Sequence, residues 1–435
     1  MKKILALIMA LALVMGLAVT ASAASITITP GTVPEGGNAA GVTYTAYKLL
    51  DANITTTGVT YTLPTTETAK KEALEDTGLF AFVEDPIEPV WHVTAADGYT
   101  DAEDLADAQL DVAKLGTAYQ LTYADGEYSV TVDPGYYLVV SSLGEKIVIQ
   151  TAGDVNIAQK NSYPTIALAA DVETADGGAP VVFTVTVTIP ETASGAMTIA
   201  NTLTGLDYVS LNAASGITAT TDGTSFTLPA ATVEANKGGT VTFTFTANMD
   251  GIDTAAVAKA SVVLTAGGFS TKAAEDEVLT TDVVIDKVDG TTNAKLSNAK
   301  FVLTKKVTEG EKEVTKYYRF FENQVSWVDQ IGQATYVNTD FNGAATFYNL
   351  ANGDYELVET EAPTGYNLMA AAKQFSVTAV KANNTVTPIT VNVPNNAGSE
   401  LPSTGGIGTT LFYVVGALMM TGAAVLMITK KRMSV

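Results

Sequence analysis

Phe183-Thr184-Val185-Thr186-Val187-Thr188-Ile189 alternates apolar residues with threonine along its whole length. Val241-Thr242-Phe243-Thr244-Phe245-Thr246 repeats the same pattern. Successive side chains of a strand point to opposite faces of the sheet, so each segment has one apolar face and one hydroxyl face. Half-buried strands of this kind are typical of antiparallel sheets. The two stretches therefore predict a β-sandwich.

The rest of the chain has a similar pattern, in which short runs rich in Thr, Val, Ile and aromatic residues are separated by Gly, Asn and Asp. Helical spacing occurs in two stretches of the first third, residues 67–80 and 101–115. Polar joints near residues 160 and 280 divide the central part. The prediction is a mainly β protein with three tandem immunoglobulin-like β-sandwich domains, at 24–160, 161–280 and 281–398, the first with helical insertions.

The two ends of the chain carry targeting patterns. Lys2 and Lys3 precede an apolar run, and Ala21-Ser22-Ala23 follows it, so residues 1–23 are predicted to be a cleaved signal peptide. A membrane anchor is the alternative, but the run is shorter than the roughly 20 residues that span a bilayer. At the other end, the apolar stretch 407–429 is long enough to span and is followed by Lys430-Lys431-Arg432.

Composition excludes several classes of function. The chain has 24 basic and 46 acidic residues, and its ends hold five of the basic ones and none of the acidic ones, so the mature part carries a charge of −27. Such an acidic surface argues against nucleic acid as a partner. There is no cysteine, and the one histidine, His92, cannot build a metal cluster. The acidic residues of 101–111 lack the order of a calcium loop. We expect no cofactor and no metal.

Leu401-Pro402-Ser403-Thr404-Gly405 stands directly before the C-terminal apolar span and its basic tail. This three-part arrangement, 399–435, resembles the sorting signal of proteins that Gram-positive sortases attach to the cell wall. The resemblance implies that a sortase cleaves between Thr404 and Gly405 and transfers the threonyl group to an amine. The mature protein would then be joined to peptidoglycan and have no membrane span.

Two charged residues of the third domain are predicted to point into its core. By alternation, Lys287 shares a face with Val283 and Ile285, and Glu359 shares a face with apolar residues of its own strand. One interpretation is a buried ion pair. The other is covalent, because burial lowers the pKa of a lysine and raises that of a glutamate, which allows a neutral amine to attack a side-chain amide.

The segments 283–289 and 355–366, which includes Glu359-Thr360-Glu361-Ala362-Pro363-Thr364-Gly365-Tyr366, resemble the collagen-adhesin B-type domains of surface proteins and pilins. That resemblance implies a Lys–Asn isopeptide bond promoted by the glutamate. The position of Asn392 matches the family's asparagine best, although alternation places it opposite Val391 and Val393. Asn395 and Asn396 are the alternatives.

A third pattern lies at the first joint, where Val155-Asn156-Ile157-Ala158-Gln159-Lys160-Asn161 resembles the Y-P-K-N or A-P-K-N element of sortase-assembled major pilins. Gln159 stands where proline is usual. Segments 44–50 and 134–139 also resemble the first domain of that family. The resemblance implies that Lys160 accepts the threonyl group of the next subunit.

The middle domain resembles the second domain of the same pilins but lacks their bond-forming residues. Leu168 and Ala169 occupy the lysine position, Asn201 the acidic position, and Ala258-Lys259 the asparagine position. We therefore expect no isopeptide bond in this domain.

Together these features predict the backbone subunit of a covalent pilus on a Gram-positive cell wall, polymerised by a class C sortase through Thr404 and Lys160. The chain would be the substrate of an enzyme, and Lys287, Glu359 and Asn392 would react once within it. Expected partners are the sortase, identical subunits, peptidoglycan, accessory pilins and host surface ligands. A wall-anchored adhesin or an accessory or basal pilin that does not use Lys160 is the alternative, and a wall-anchored hydrolase is a third interpretation.

Overall fold

The alternating strands that predict the fold lie side by side in a computed structural model, which describes residues 23–398 apart from 56–57, 109, 160, 213–215 and 251–256, together with 418–424 and 427. Phe183 pairs with Phe245 and Val185 with Phe243 in adjacent antiparallel strands, and all four side chains are buried. The predicted mainly β fold is confirmed, with three tandem sandwiches and helical insertions in the first.

The first sandwich is formed by two sheets, with strand orders β11-β1-β8-β7 and β10-β9-β2-β3-β5-β4, and β6 is added to β2. Its strands are β1 (Ala24–Thr29), β2 (Tyr44–Thr55), β3 (Gly58–Pro64), β4 (Phe80–Glu84), β5 (Val90–Ala95), β6 (Ala118–Gln120), β7 (Thr122–Ala124), β8 (Glu127–Val132), β9 (Gly135–Ser141), β10 (Lys146–Thr151) and β11 (Val155–Ala158).

The helical insertions of this sandwich are shorter than predicted. Helix α1 covers Thr68–Glu75, α2 covers Ala102–Asp107, and a 3₁₀ turn covers Val112–Lys114. Asp101 caps α2 in a reciprocal capping box with Asp104. The stretch 101–115 is not one helix because Ala108 takes an extended backbone and Asp111 caps the separate 3₁₀ turn.

The middle sandwich combines sheets of order β12-β13-β18-β15 and β16-β17-β14-β19-β20, with β21 added to β19. Helix α3 (Ala230–Ala235) lies between β17 and β18. Its strands are β12 (Thr165–Ala170), β13 (Pro180–Thr188), β14 (Met197–Thr204), β15 (Leu206–Asn212), β16 (Thr218–Ala219), β17 (Ser225–Leu228), β18 (Thr240–Met249), β19 (Val257–Ala266), β20 (Phe269–Ser270) and β21 (Ala274–Leu279).

The last sandwich combines sheets of order β27-β22-β32 and β25-β24-β23-β28-β29, with β26 added to β23. Strands β30 and β31 form a separate ribbon, and a 3₁₀ turn covers Ile331–Gln333. The strands are β22 (Thr281–Asp289), β23 (Lys300–Glu309), β24 (Lys312–Phe321), β25 (Gln324–Val328), β26 (Val337–Asn338), β27 (Ala344–Leu350), β28 (Gly353–Glu361), β29 (Lys373–Val377), β30 (Lys381–Ala382), β31 (Thr385–Val386) and β32 (Ile389–Asn395).

The chain divides into two compact units. Of the described residues, the first unit contains those up to 280 together with 322–324 and 381–386, and the second contains 281–321, 325–380 and those from 387 onward. The first and middle sandwiches therefore belong to one unit, and the joint predicted near residue 160 lies inside it.

A hairpin of the middle sandwich joins these two sandwiches. Phe269, at the start of β20, is buried in the core of the first sandwich, and its ring centroid lies 4.6 Å from that of Tyr163. Asn38 and Ser270 exchange two backbone hydrogen bonds of 2.8 Å. The Ser142 hydroxyl donates to the Gly267 carbonyl at 2.6 Å. The apolar core of the first sandwich is thus completed by a residue from the middle one.

Candidate functional site

Lys287 lies on β22 with no part of its side chain exposed, on the same inward face as Val283 and Ile285. Its Nζ donates to the Val393 carbonyl at 3.0 Å and lies 3.9 Å from Oε1 of Glu359. Burial lowers the pKa of the Lys287 amine from 10.5 to about 8, although the carboxylate of Glu359 opposes this shift. The amine is therefore closer to its neutral, nucleophilic form than a surface lysine would be.

Glu359 lies on β28, in the facing sheet, and its carboxylate is buried. Oε2 accepts a hydrogen bond from the backbone N–H of Met369 at 2.8 Å. The two carboxylate oxygens also lie 2.9 and 3.0 Å from Nδ2 of Asn395. Glu359 thus stands between the amine of one strand and the amide of another.

The structure places Asn392, whose position matches the family's asparagine best, on the exposed face of β32. Strand β32 runs parallel to β22 without a bulge, and Lys287 is paired with Val393. Val391, Val393 and Asn395 consequently share the buried face, while Asn392 is exposed. Asn396, the other alternative, is also exposed. Asn395 is 3% exposed and is the asparagine that contacts Glu359.

The orientation of the Asn395 amide is fixed by its neighbours. Nδ2 donates to the Glu359 carboxylate and to the Asn367 carbonyl, the latter at 3.0 Å. Both N–H bonds of the amide therefore have acceptors, and a flipped amide would place its oxygen against oxygen atoms. The leaving nitrogen of a transamidation would face the carboxylate.

Sequence reasoning missed the loop that supplies two of these contacts, because Asn367 and Met369 act through backbone groups. It also missed the hydroxyl of Tyr366, which donates to Oδ2 of Asp289 at 2.8 Å. The only available indication was that Tyr366 ends the motif that begins at Glu359.

The other predicted site residues belong to different parts of the chain. Lys160 and the sorting motif Leu401, Pro402, Ser403, Thr404 and Gly405 lie outside the described residues, as do residues 1–22 of the signal peptide. On the two sides of residue 160, Gln159 is buried, and the amide of Asn161 donates to the Tyr44 hydroxyl at 2.7 Å.

The remaining predictions concern single residues outside this site. In the middle sandwich, Leu168 and Ala169 lie on β12, while Asn201 is buried on β14 and donates to the Gly223 carbonyl at 2.9 Å. His92 lies on the surface, 2.7 Å from a carboxylate oxygen of Asp85.

The described residues contain neither a metal-binding cluster nor a membrane-spanning helix. No group of three or more acidic or histidine side chains in the described ranges could hold a metal ion. Within the same part of the chain, no helix is long and apolar enough to cross a membrane.

One curated protein is similar to part of this chain. The chain is 43% identical over 96 residues to a fimbrial subunit type 1 from Actinomyces viscosus, which covers 21% of this chain and 18% of that protein. The match thus spans about a fifth of the relative's length.

Solved structures of pilus proteins are similar at low identity. The backbone protein of the group B streptococcus pilus 2b matches with 22% identity over 55% of this chain and 100% of that chain, at a TM-score of 0.44. The full-length RrgB pilus protein of Streptococcus pneumoniae matches with 12% identity over 88% of this chain and 100% of that chain, at a TM-score of 0.46. The full-length major pilin SpaD of Corynebacterium diphtheriae matches with 14% identity over 87% of this chain and 98% of that chain, at a TM-score of 0.41.

Two family models match the C-terminal third directly. Residues 281–392 match the model of the SpaA prealbumin-like fold domain, and residues 393–434 match the LPXTG cell wall anchor motif. The chain therefore contains a SpaA-type prealbumin-like domain followed immediately by a cell wall anchor motif.

Proposed function

We propose that this chain is the backbone subunit of a covalent surface pilus on a Gram-positive bacterium. The observation that carries the proposal is the cell wall anchor motif at 393–434, directly after a prealbumin-like domain. The local identity to a fimbrial subunit adds support. After removal of residues 1–23, a sortase would cleave after Thr404 and join that residue to Lys160 of the next subunit.

The positions of donor and acceptor support a filament. Thr404 lies near the C-terminus, whereas Lys160 lies far from it in the sequence. Such a contact joins two different surfaces of identical subunits, and it generates an open fibre unless the rotation closes it into a ring. The last subunit added would be joined to peptidoglycan. Accessory pilins and host surface ligands are further partners that we include in the proposal.

Polymerisation is tested by coexpressing the chain with its pilus sortase and separating the products under denaturing conditions. Lys160→Ala should abolish the high-mass ladder. Lys114→Ala, which removes an exposed lysine of the first sandwich, is the matched control and should leave the ladder intact. A ladder that persists in Lys160→Ala would contradict the proposed role of Lys160 as the acceptor.

The last sandwich would carry an internal bond between Lys287 and Asn395. The neutral Lys287 amine attacks Cγ of Asn395, Glu359 accepts a proton from the amine and delivers one to Nδ2, and ammonia leaves. One C–N bond forms, one breaks, and no oxidant is needed. The burial of all three side chains and the contact of Glu359 with both partners support this reaction. The chain would act on itself once and would otherwise be an enzyme's substrate.

The internal bond is tested by the intact mass of the purified mature chain. Loss of ammonia should place the wild-type mass about 17 Da below the calculated value. Asn395→Ala should have its calculated mass. Asn392→Ala, on the exposed face of the same strand, should still lose ammonia. A loss in Asn395→Ala, or none in the wild type, would refute the assignment.

A further inference from the structure

Residues 363–369, here called the clamp loop, follow β28 and contact both Glu359 and Asn395. The backbone N–H of Met369 donates to Glu359, and the Asn367 carbonyl accepts from the Asn395 amide. The clamp loop therefore holds both Glu359, the proposed proton carrier, and the Asn395 amide on which Glu359 would act. Neither contact uses a side chain of the loop.

The clamp loop is also attached to the end of β32. Asn367 N–H donates to the Asn396 carbonyl at 3.1 Å, and Gly398 N–H donates to the Gly365 carbonyl at 2.9 Å. Tyr366 and Ala397 form an isolated antiparallel bridge. These contacts restrict how the loop can move relative to the strand that carries Asn395.

One side chain ties the clamp loop to the strand of the lysine. The Tyr366 hydroxyl donates to Oδ2 of Asp289, two residues beyond Lys287 on β22 and next to Asn395 in the parallel register. Oδ1 of Asp289 accepts from the N–H groups of Thr291 and Thr292 at 2.8 and 2.7 Å. Asp289 is therefore itself fixed, which makes it a rigid anchor for the tyrosine.

We propose that Tyr366 and Asp289 form a positioning pair for isopeptide formation. The pair holds the clamp loop at the distance from β22 at which the Asn367 carbonyl and the Met369 N–H orient the amide and the carboxylate. In this arrangement the NH₂ group of Asn395 faces only acceptors, so the leaving nitrogen is held against the group that protonates it. The inference rests on the proposed bond between Lys287 and Asn395.

The test measures the rate of bond formation in the mature chain. Cell-free synthesis is sampled at intervals, quenched in acid, and scored by intact mass for the fraction that has lost ammonia. Tyr366→Phe keeps the ring and removes the hydroxyl, and we expect its rate to fall by about 10-fold to 100-fold, since small misplacements of reacting groups have effects of this size. The rate of Tyr366→Phe should depend on pH with the same midpoint as the wild-type rate, because the Lys287 amine sets that midpoint.

Tyr355→Phe is the matched control. The Tyr355 hydroxyl likewise donates a hydrogen bond, to the Ala351 carbonyl at 2.8 Å, which lies outside the clamp loop, and its strand carries Glu359. Its rate should equal that of the wild type. The Lys287→Ala variant cannot form the bond. The difference in Tm between this variant and the double variant Lys287→Ala/Tyr366→Phe measures what the Tyr366 hydroxyl contributes to stability alone.

The outcomes separate the two proposals. If the wild type never loses ammonia, the proposed bond and the positioning pair both fail. If the wild type reacts and Tyr366→Phe reacts at the same rate, the bond stands and the positioning pair is refuted. If Tyr355→Phe slows the reaction as much as Tyr366→Phe does, the effect is general destabilisation, which also overturns the positioning role.

Discussion

Replacing Phe269 by alanine should destabilise the first sandwich, although Phe269 belongs to a strand of the middle one. Its side chain is 1% exposed and packs with Tyr163 and the core residues of the first sandwich. Phe→Ala substitutions at fully buried sites cost about 3–5 kcal/mol, from lost burial and from the cavity left behind. The tight fit around this ring, with no space for a Cβ at Gly37, favours the upper part of that range.

The assay is thermal unfolding of the mature chain, combined with amide hydrogen exchange. In a unit of this size, each 1 kcal/mol lowers Tm by about 2–4 °C, so we expect a shift of roughly 10 °C. Amides of β1 (Ala24–Thr29) should exchange faster, because that strand lies over the same core. Phe341→Ala removes an exposed ring of the last sandwich and should have little effect.

A shift in Tm for Phe269→Ala no larger than that for Phe341→Ala would contradict the role of Phe269 in the core of the first sandwich. Faster amide exchange confined to the middle sandwich, with β1 still protected, would contradict that role as well. Either result would mean that the hairpin rests on the first sandwich without completing its core.

Three further predictions concern single residues. Gly268→Ala should lower Tm by several degrees more than Gly126→Ala. Both glycines have a positive φ, so an alanine at either position is strained by about 1–2 kcal/mol. Of the two, only Gly268 faces a backbone carbonyl, which the added Cβ would meet. Because the Lys287 pKa is about 8, and the protonated amine cannot attack, the rate of ammonia loss should rise about tenfold per pH unit below that value and level off above it. A flat profile would contradict this. Glu359→Gln cannot relay a proton, so its intact mass should equal the calculated one; ammonia loss at the wild-type rate would exclude Glu359 as the proton carrier.

The sequence predicts the sandwiches because alternation is a local property. Phe183, Val185 and their partners on β18 are buried as their spacing requires, and the inward position of Lys287 follows from the same rule. Alternation also placed Asn392 on the face opposite Val393, and the structure agrees with that rule. The spacing of the strand itself thus places Asn395, rather than Asn392, on the face of Val393.

Other features could not be predicted because they depend on contacts between distant segments. Gly267-Gly268-Phe269 has the composition of an ordinary turn, and nothing in it indicates that the ring enters another sandwich. The clamp loop acts through backbone groups, which every sequence possesses. The split of 101–115 into two helices follows from the extended backbone at Ala108, a local choice that apolar spacing does not encode.

A branched peptide would show directly whether Thr404 of one subunit is joined to Lys160 of the next, as proposed. Polymer made with the pilus sortase is digested with trypsin, and the branched peptides are sequenced by mass spectrometry. We expect one peptide in which the Thr404 carbonyl is bonded to the ε-amine of Lys160, with Gly405 and the residues after it absent. A branch at another lysine, or polymer joined through a residue other than Thr404, would contradict it.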